Sequence, residues 1–165
     1  VGGGFPVGAF GGRSDIMDLF DGTGAPTGFF QSGSFSGHHL AMTAGLATLQ
    51  QLTPEAYDHL ENQAARLCSG LNDLFGKESF AAQAVHNGCV FSIHFTAEEL
   101  VNYRSLARAD KTLAYPVFLS LLSQGYLLTA MLGMNSISLP TQESDIDGLI
   151  TAFAVALGEL KGVLS

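Results

Sequence analysis

The glycine-rich start of the chain constrains its fold more than any other feature. Six of the first thirteen residues are glycine, and Pro6 lies between them. In a helix interior glycine costs about 1 kcal/mol and proline about 3 kcal/mol relative to alanine, so a helix is excluded here. We expect a turn and a short extended segment. None of its side chains can act as a nucleophile, so the segment predicts a shaped backbone beside other functional groups.

Apolar residues at steps of three and four predict helices in the rest of the chain. The clearest run begins at Thr53-Pro54-Glu55, a typical helix start with a cap, a first-turn proline and an acid. It ends at Gly76. Ser14, Ser36 and Ser144 are the predicted N-caps of three other runs. The predicted helices cover residues 14–20, 38–51, 54–75 and 112–123 and the residues from 144 onward. Their two longest stripes are Tyr57, Leu60, Ala64, Leu67, Leu71 and Leu74, and Ile146, Leu149, Ile150, Phe153, Leu157 and Leu160.

Strict alternation of apolar residues predicts a strand over residues 89–95. Residues 80–85 are its predicted neighbour, and short strands are predicted at 126–129 and 136–139, after Gly125 ends a helix. Residues 21–28 predict a loop. The sum is an α+β fold, with helices on one face of a mostly antiparallel sheet.

Composition excludes two classes of partner. The net charge is −8 with only seven Lys and Arg, which argues against nucleic acid, because phosphate neutralisation needs clustered cations. No apolar run approaches the roughly 18 residues that a membrane span needs. No signal peptide is visible, so we expect a cytoplasmic protein. Charged residues are only 13% of the chain, which leaves apolar surface for a partner.

A second loop, Gln31–Gly37, is rich in serine and glycine and precedes a predicted helix. Serine at this position commonly caps a helix, and that is one interpretation. The other is an anion site, because the free amides and the dipole of a helix start both favour phosphate. The residues alone leave both interpretations open.

The order of residues in these two loops resembles a known family. Residues 2–13 read GGGFPVGAFGGR, similar to the segment after the Schiff-base lysine in class III, fold-type I pyridoxal-phosphate aminotransferases, and most similar to glutamate-1-semialdehyde 2,1-aminomutase-like members. Residues 33–45 resemble the family string G-T-x-S-G-N-P-L-A-M-x-A-G. Residues 138–147 resemble S-x-A-H-T-x-E-D-I-D. Two departures, His38-His39 for Asn-Pro and Thr141 for histidine, favour a relative over the aminomutase itself.

The resemblance implies a site and an organisation. Gly33 and Ser34 match the Gly-Thr pair that binds the phosphate of pyridoxal phosphate held by the other subunit, so a homodimer with a shared cofactor site is implied. Residues 1–35 would end the large domain, 36–52 would form a bridging helix, and 53–165 would form the small domain. The Schiff-base lysine would lie just before Val1, so this chain alone is expected to be inactive. The substrates would be small amino donors and acceptors.

Other reactive residues do not form a site in the sequence. The adjacent His38 and His39 point about 100° apart on a helix and have no third ligand, so no metal is predicted. Cys68 and Cys89 are predicted free thiols. The lysines are interpreted as surface charges: Lys77, Lys111 and Lys161. Three functions remain in competition: a pyridoxal-phosphate aminotransferase or aminomutase, a non-catalytic module acting in dimer contacts, and an unrelated α+β domain whose glycine loop holds a phosphate ligand.

Overall fold

The computed structural model describes residues 2–20, 29 and 31–164, with side chains up to residue 162. The chain divides into two compact units: the N-terminal unit, Val1–Thr53, and the C-terminal unit, Pro54–Ser165. The loop predicted at residues 21–28 lies outside the described residues. The predicted three-part domain division stays a prediction.

The N-terminal unit contains two α-helices. Helix α1 is Ser14–Met17, followed by a 3₁₀ turn at Asp18–Phe20, and helix α2 is His39–Gln51. The predicted cap at Ser14 is wrong, because this residue is the first of the helix and Arg13 stands in the cap position without a side-chain bond.

The cap predicted at Ser36 is also wrong. Ser36 lies in a turn before the helix, where its N–H donates to the Gly33 carbonyl at 2.9 Å. His38 is the N-cap, and its Nδ1 accepts from the Ala41 N–H at 3.4 Å. The helix therefore begins one residue later than its sequence predicts.

The C-terminal unit contains four α-helices among the residues that the structure describes: α3 Pro54–Lys77, α4 Tyr103–Ala107, α5 Ala114–Ser123 and α6 Glu143–Leu164. Pro54 begins α3 as predicted. Helix α4 was not predicted; a capping box between Asn102 and Ser105 nucleates it. Helix α6 begins before the predicted cap Ser144, because Asp145 accepts the Gln142 N–H at 2.8 Å and closes the first turn.

Three strands form an antiparallel sheet in the order β1-β2-β3: β1 Gln83–Asn87, β2 Val90–His94 and β3 Asn135–Ser136. Ala84, Phe91 and Ile93 point from one face into the core, and α3 packs on that face. The other face exposes about two fifths of Val85 and Val90. The predicted antiparallel sheet with helices on one face is thus present.

The strand predicted at residues 126–129 is wrong, and the one predicted at 136–139 lies instead at β3. Side chains rather than a strand ladder hold the first segment. The Thr129 N–H donates to Asn135 Oδ1 at 2.8 Å. The Tyr126 ring packs over Gly148, where a Cβ would be only 2.2 Å from its hydroxyl.

Helices α3 and α6 run parallel along the core. Phe75 and Phe153 meet edge to face with ring centroids 6.4 Å apart. Ion pairs join the helices on either side of this contact, from Arg66 to Asp147 at 2.9 Å and from Lys161 to Glu78 at 2.8 Å. The predicted stripe of α6 is buried or half-buried, whereas Tyr57 in the α3 stripe is 57% exposed.

Candidate functional site

The glycine-rich segment forms a turn that packs on α2. The Phe5 N–H donates to the Gly2 carbonyl at 3.0 Å, and Gly3 and Gly4 between them have φ of 57° and 91°. These left-handed conformations favour glycine, because a Cβ meets the following carbonyl there. The prediction of a turn without helix is confirmed.

The Ser/Gly loop consists of two consecutive turns that lead into α2. After the turn from Gly33 to Ser36, the His38 N–H donates to the Phe35 carbonyl at 3.1 Å. Gly37 has φ of 70°, which lets the chain reverse before the helix. The Phe35 and His38 rings meet edge to face at 5.9 Å. The loop therefore has a defined backbone shape.

These two segments line the same open cleft of about 640 Å³ and form its two walls. Pro6, Val7, Gly8 and Ala9 line one side. The other lining residues are Gln31, Gly33, Ser34, Phe35, Ser36, Gly37 and Met42. The structure thus places Gly33 and Ser34, the two residues singled out in the sequence, in one cleft with part of the glycine-rich segment.

The groups in the cleft fit a phosphate. Phosphate favours N–H and O–H donors, and glycine-rich turns leave backbone amides accessible to it. The lining supplies the hydroxyls of Ser34 and Ser36, the amide of Gln31 and the backbone of the loop. No Asp or Glu is among these lining residues. A Cβ at Gly33 would lie 3.3 Å from Ser36 Oγ, so a larger residue would narrow the loop.

An apolar groove of about 350 Å³ adjoins the cleft, between Val7–Ala9 and α2. The α2 residues that line it are Ala41, Met42, Gly45, Leu46 and Leu49. Leu46 and Leu49 are 59% and 51% exposed. The groove offers the kind of surface that an apolar partner group covers.

Sequence reasoning did not single out Gln31 and Met42 as lining residues. Gln31 lies two residues before the Gly-Ser pair, and Met42 lies one helical turn after the His38 cap. Their positions in the sequence could have indicated both. Gln31 is close to the Gly-Ser pair along the chain, and Met42 lies four residues after His38, on the same face of the helix.

The other candidate reactive residues have structural roles. His94 bonds Ser92 Oγ at 2.8 Å, and burial lowers the pKa of His94. Burial raises the pKa of the Cys68 thiol to about 11. Cys68 and Cys89 are free, as predicted. Lys161 pairs with Glu78 and lies 5.5 Å from the Phe80 ring centroid, which fits a surface charge.

No group of three metal-ligating side chains occurs within residues 2–20, 29 and 31–162. The same part of the chain has no helix with the length and apolarity to cross a membrane.

Known proteins similar to this chain are aminotransferases and aminomutases. It is 36% identical over 164 residues to glutamate-1-semialdehyde 2,1-aminomutase 2 of Geobacillus kaustophilus, and 38% identical over 162 residues to the aminomutase of Akkermansia muciniphila. These alignments cover 98% and 97% of the chain and 37% of each relative. The chain is similar over nearly its whole length to glutamate-1-semialdehyde 2,1-aminomutases, and its fold is that of part of a fold-type I transaminase. It matches the C-terminal part of these proteins.

Two solved aminotransferase structures are also similar to the chain. The ω-transaminase of Sphaerobacter thermophilus matches with a TM-score of 0.86 and 31% identity, over 95% of this chain and 36% of that one. A β-phenylalanine aminotransferase of Variovorax paradoxus matches with a TM-score of 0.85 and 34% identity, over 98% of this chain and 37% of that one. No family model matches the chain. The chain spans little more than a third of the length of these similar proteins.

Proposed function

We propose that the full-length protein is a pyridoxal-phosphate-dependent aminotransferase, and that this chain supplies the phosphate side of its cofactor site. The proposal is supported by the cleft that Gly33 and Ser34 line together with the glycine-rich segment, which has hydrogen-bond donors and no carboxylate. When bound, pyridoxal phosphate supplies the electron sink for amino-group transfer, and the protein supplies binding and orientation.

The residues of the cleft have separate tasks in this proposal. The Ser34 hydroxyl and backbone amides of the loop would donate hydrogen bonds to the phosphate oxygens and would hold the cofactor without any proton transfer. Serine keeps the hydroxyl of the family threonine. Pro6–Ala9 line the same cleft and would flank the bound phosphate. Hydrogen bonds to a charged group stabilise it by about 1.5–3 kcal/mol each, so a few such donors suffice for tight phosphate binding.

We propose that the protein acts as a homodimer in which Gly33 and Ser34 bind the phosphate of the partner's cofactor. The exposed apolar side chains of α2 support a partner: Leu40 is 61% exposed and Leu46 is 59% exposed. Side chains of this kind on a helix surface favour association. The substrates are proposed to be small amino donors and acceptors. A cytoplasmic location stays a prediction.

An intramolecular aminomutase is the second candidate function, because the relatives from Geobacillus kaustophilus and Akkermansia muciniphila carry that name. The family histidine near residue 141 is threonine here. Thr141 serves a turn, in which its Oγ1 lies 3.1 Å from Ser138 Oγ. A non-catalytic module acting in dimer contacts is the third candidate.

Purified full-length gene product tests the proposal. We expect visible absorbance from bound pyridoxal phosphate, a change in that absorbance on addition of an amino acid, and a released keto acid that mass spectrometry identifies. An isomerised product without keto-acid release would favour the aminomutase instead. Absence of any cofactor absorbance, with a folded dimer by light scattering, would leave the non-catalytic module. We expect residues 1–165 alone to show no turnover.

A further inference from the structure

Gly3 makes a close approach to α2 that the other glycines of the segment do not make. A Cβ at Gly3 would lie 2.9 Å from the Cβ of Ala44, 2.9 Å from its carbonyl oxygen and 3.0 Å from Thr48 Oγ1. A Cβ at Gly4 would meet nothing within 4 Å. Six glycines lie at positions 2–12, all within the described part of the chain. Gly3 is the only one of them at which an added Cβ would lie within 4 Å of α2.

Helix α2 connects the two walls of the cleft. The Ser/Gly wall leads directly into the helix through its cap His38. The other wall, Pro6–Ala9, follows the turn that places Gly3 against Ala44 and Thr48. The apolar groove lies between Val7–Ala9 and α2, so these wall residues leave open space between themselves and the helix. The contact at Gly3 therefore sets how far the wall stands from the helix, and with it the width of the cleft.

The residues on the α2 side are small or already bonded. Thr48 Oγ1 donates to the Ala44 carbonyl at 2.9 Å, which fixes the threonine rotamer. Ala44 presents only a methyl group. Apolar heavy atoms in contact lie about 4 Å apart, so a methyl at residue 3 would push the segment outward by about 1 Å. A displacement of this size is enough to disrupt a positioned binding site.

We infer that Gly3 is a positioning residue that fixes the wall of the cofactor cleft by its backbone contact with Ala44 and Thr48. This inference rests on the proposed function, because it requires a phosphate group between the walls. It predicts that added bulk on either side of the contact weakens recognition of the phosphate specifically. The effect comes from displacement of the wall, since Gly3 itself does not line the cleft.

The test compares pyridoxal phosphate with pyridoxal on the full-length protein, by equilibrium absorbance titration. The ratio of the two dissociation constants, called the phosphate preference, reports the phosphate contacts, and the thermal midpoint is measured in parallel. The variants are Gly3→Ala and Ala44→Val, which crowd the contact from its two sides. Gly4→Ala is the matched control, because its φ of 91° strains an alanine while the space around it is empty.

We expect Gly3→Ala and Ala44→Val to reduce the phosphate preference by about tenfold or more, as a 1 Å displacement allows. Gly4→Ala should lower the thermal midpoint and keep the preference. The inference is overturned if the wild type prefers pyridoxal phosphate but both crowding variants keep that preference. If Gly3→Ala does not fold, the phosphate preference of Ala44→Val alone decides whether the inference holds. If the wild type itself shows no phosphate preference, the proposed function fails and this inference with it.

Discussion

The two units of the chain bury their apolar residues to very different degrees. Among the described residues, Ala41 is the only hydrophobic residue of the N-terminal unit that is buried, whereas the other buried hydrophobic residues form one cluster in the C-terminal unit. The cleft with Gly33 and Ser34 lies in the unit with the poor core. Binding residues often lie on loops that a rigid scaffold supports. The C-terminal unit supports its own fold, while the N-terminal unit offers shaped loops and exposed apolar faces.

Two leucines, one in each unit, should show the largest difference in the loss of unfolding free energy. Leu157 on α6 is completely buried, and Leu49 on α2 is 51% exposed. We expect Leu157→Ala to lower the free energy of unfolding by about 3–5 kcal/mol, because it leaves a cavity in a packed core. Leu49→Ala should cost less than about 1 kcal/mol. Urea denaturation of the isolated chain of residues 1–165, in which no partner covers Leu49, measures both, and equal losses would contradict the difference between the units.

A smaller effect is expected at the outer edge of the sheet. Asn72 on α3 makes two bonds to the backbone of Ala84 on the edge strand β1, donating to its carbonyl at 2.9 Å and accepting its N–H at 2.8 Å. This side chain takes the place of a neighbouring strand and covers an edge that could otherwise pair with another chain.

We expect Asn72→Ala to cost about 1–3 kcal/mol, the net value of two hydrogen bonds. Asn62→Ala is the matched control, because Asn62 is an exposed asparagine on the same helix. Urea denaturation gives the free energies, and light scattering checks for aggregation of the Asn72 variant. A cost no larger than that of the control would show that the edge needs no such support.

The smallest effect concerns the titration of Cys68. Burial raises the pKa of this thiol from 9.0 to about 11. The unfolded thiol ionises first as pH rises, so the stability that the neutral thiol contributes is present below pH 9.0 and is lost as pH rises towards about 11. Cys89, the second free thiol of the same unit, is only half-buried and therefore more accessible to a reagent.

Alkylation of the native protein with iodoacetamide at pH 8 measures this contrast, with residues identified by mass spectrometry. We expect Cys89 to react first and Cys68 only after denaturant opens the C-terminal unit, because the thiolate is the reactive form. A Cys68 that reacts as fast as Cys89 would indicate that the core of this unit opens readily.

The sequence predicts regular elements well and irregular ones poorly. The alternation around Phe91 and Ile93 and the stripe of α6 place both elements correctly, because burial of one face determines their periodicity. The wrong predictions involve side chains that bond to the backbone. Asn135 holds residues 126–129 where a strand is predicted, and His38 caps α2 in place of Ser36. Such bonds depend on the neighbours that the fold brings together, which local patterns do not contain.

In the candidate site, too, local features could be predicted from the sequence and long-range contacts could not. The order of residues in the two loops indicates Gly33 and Ser34, and the glycine content indicates the turn at Gly3. The distance from Gly3 to Ala44 and Thr48 could not be predicted, because it joins residues more than forty positions apart. The role of the two loop residues in cofactor binding stays a prediction.

The phosphate preference of Ser34→Ala in the full-length protein measures whether this loop binds the cofactor phosphate. Ser32→Ala is the matched control, because Ser32 is a nearby exposed serine that does not line the cleft. Loss of one hydrogen bond to a charged group is worth about 1.5–3 kcal/mol, so we expect the preference for pyridoxal phosphate over pyridoxal to fall by at least about tenfold in Ser34→Ala. We expect no change in Ser32→Ala. An unchanged preference in Ser34→Ala, with wild-type thermal stability, would contradict the assignment of this loop to the cofactor phosphate.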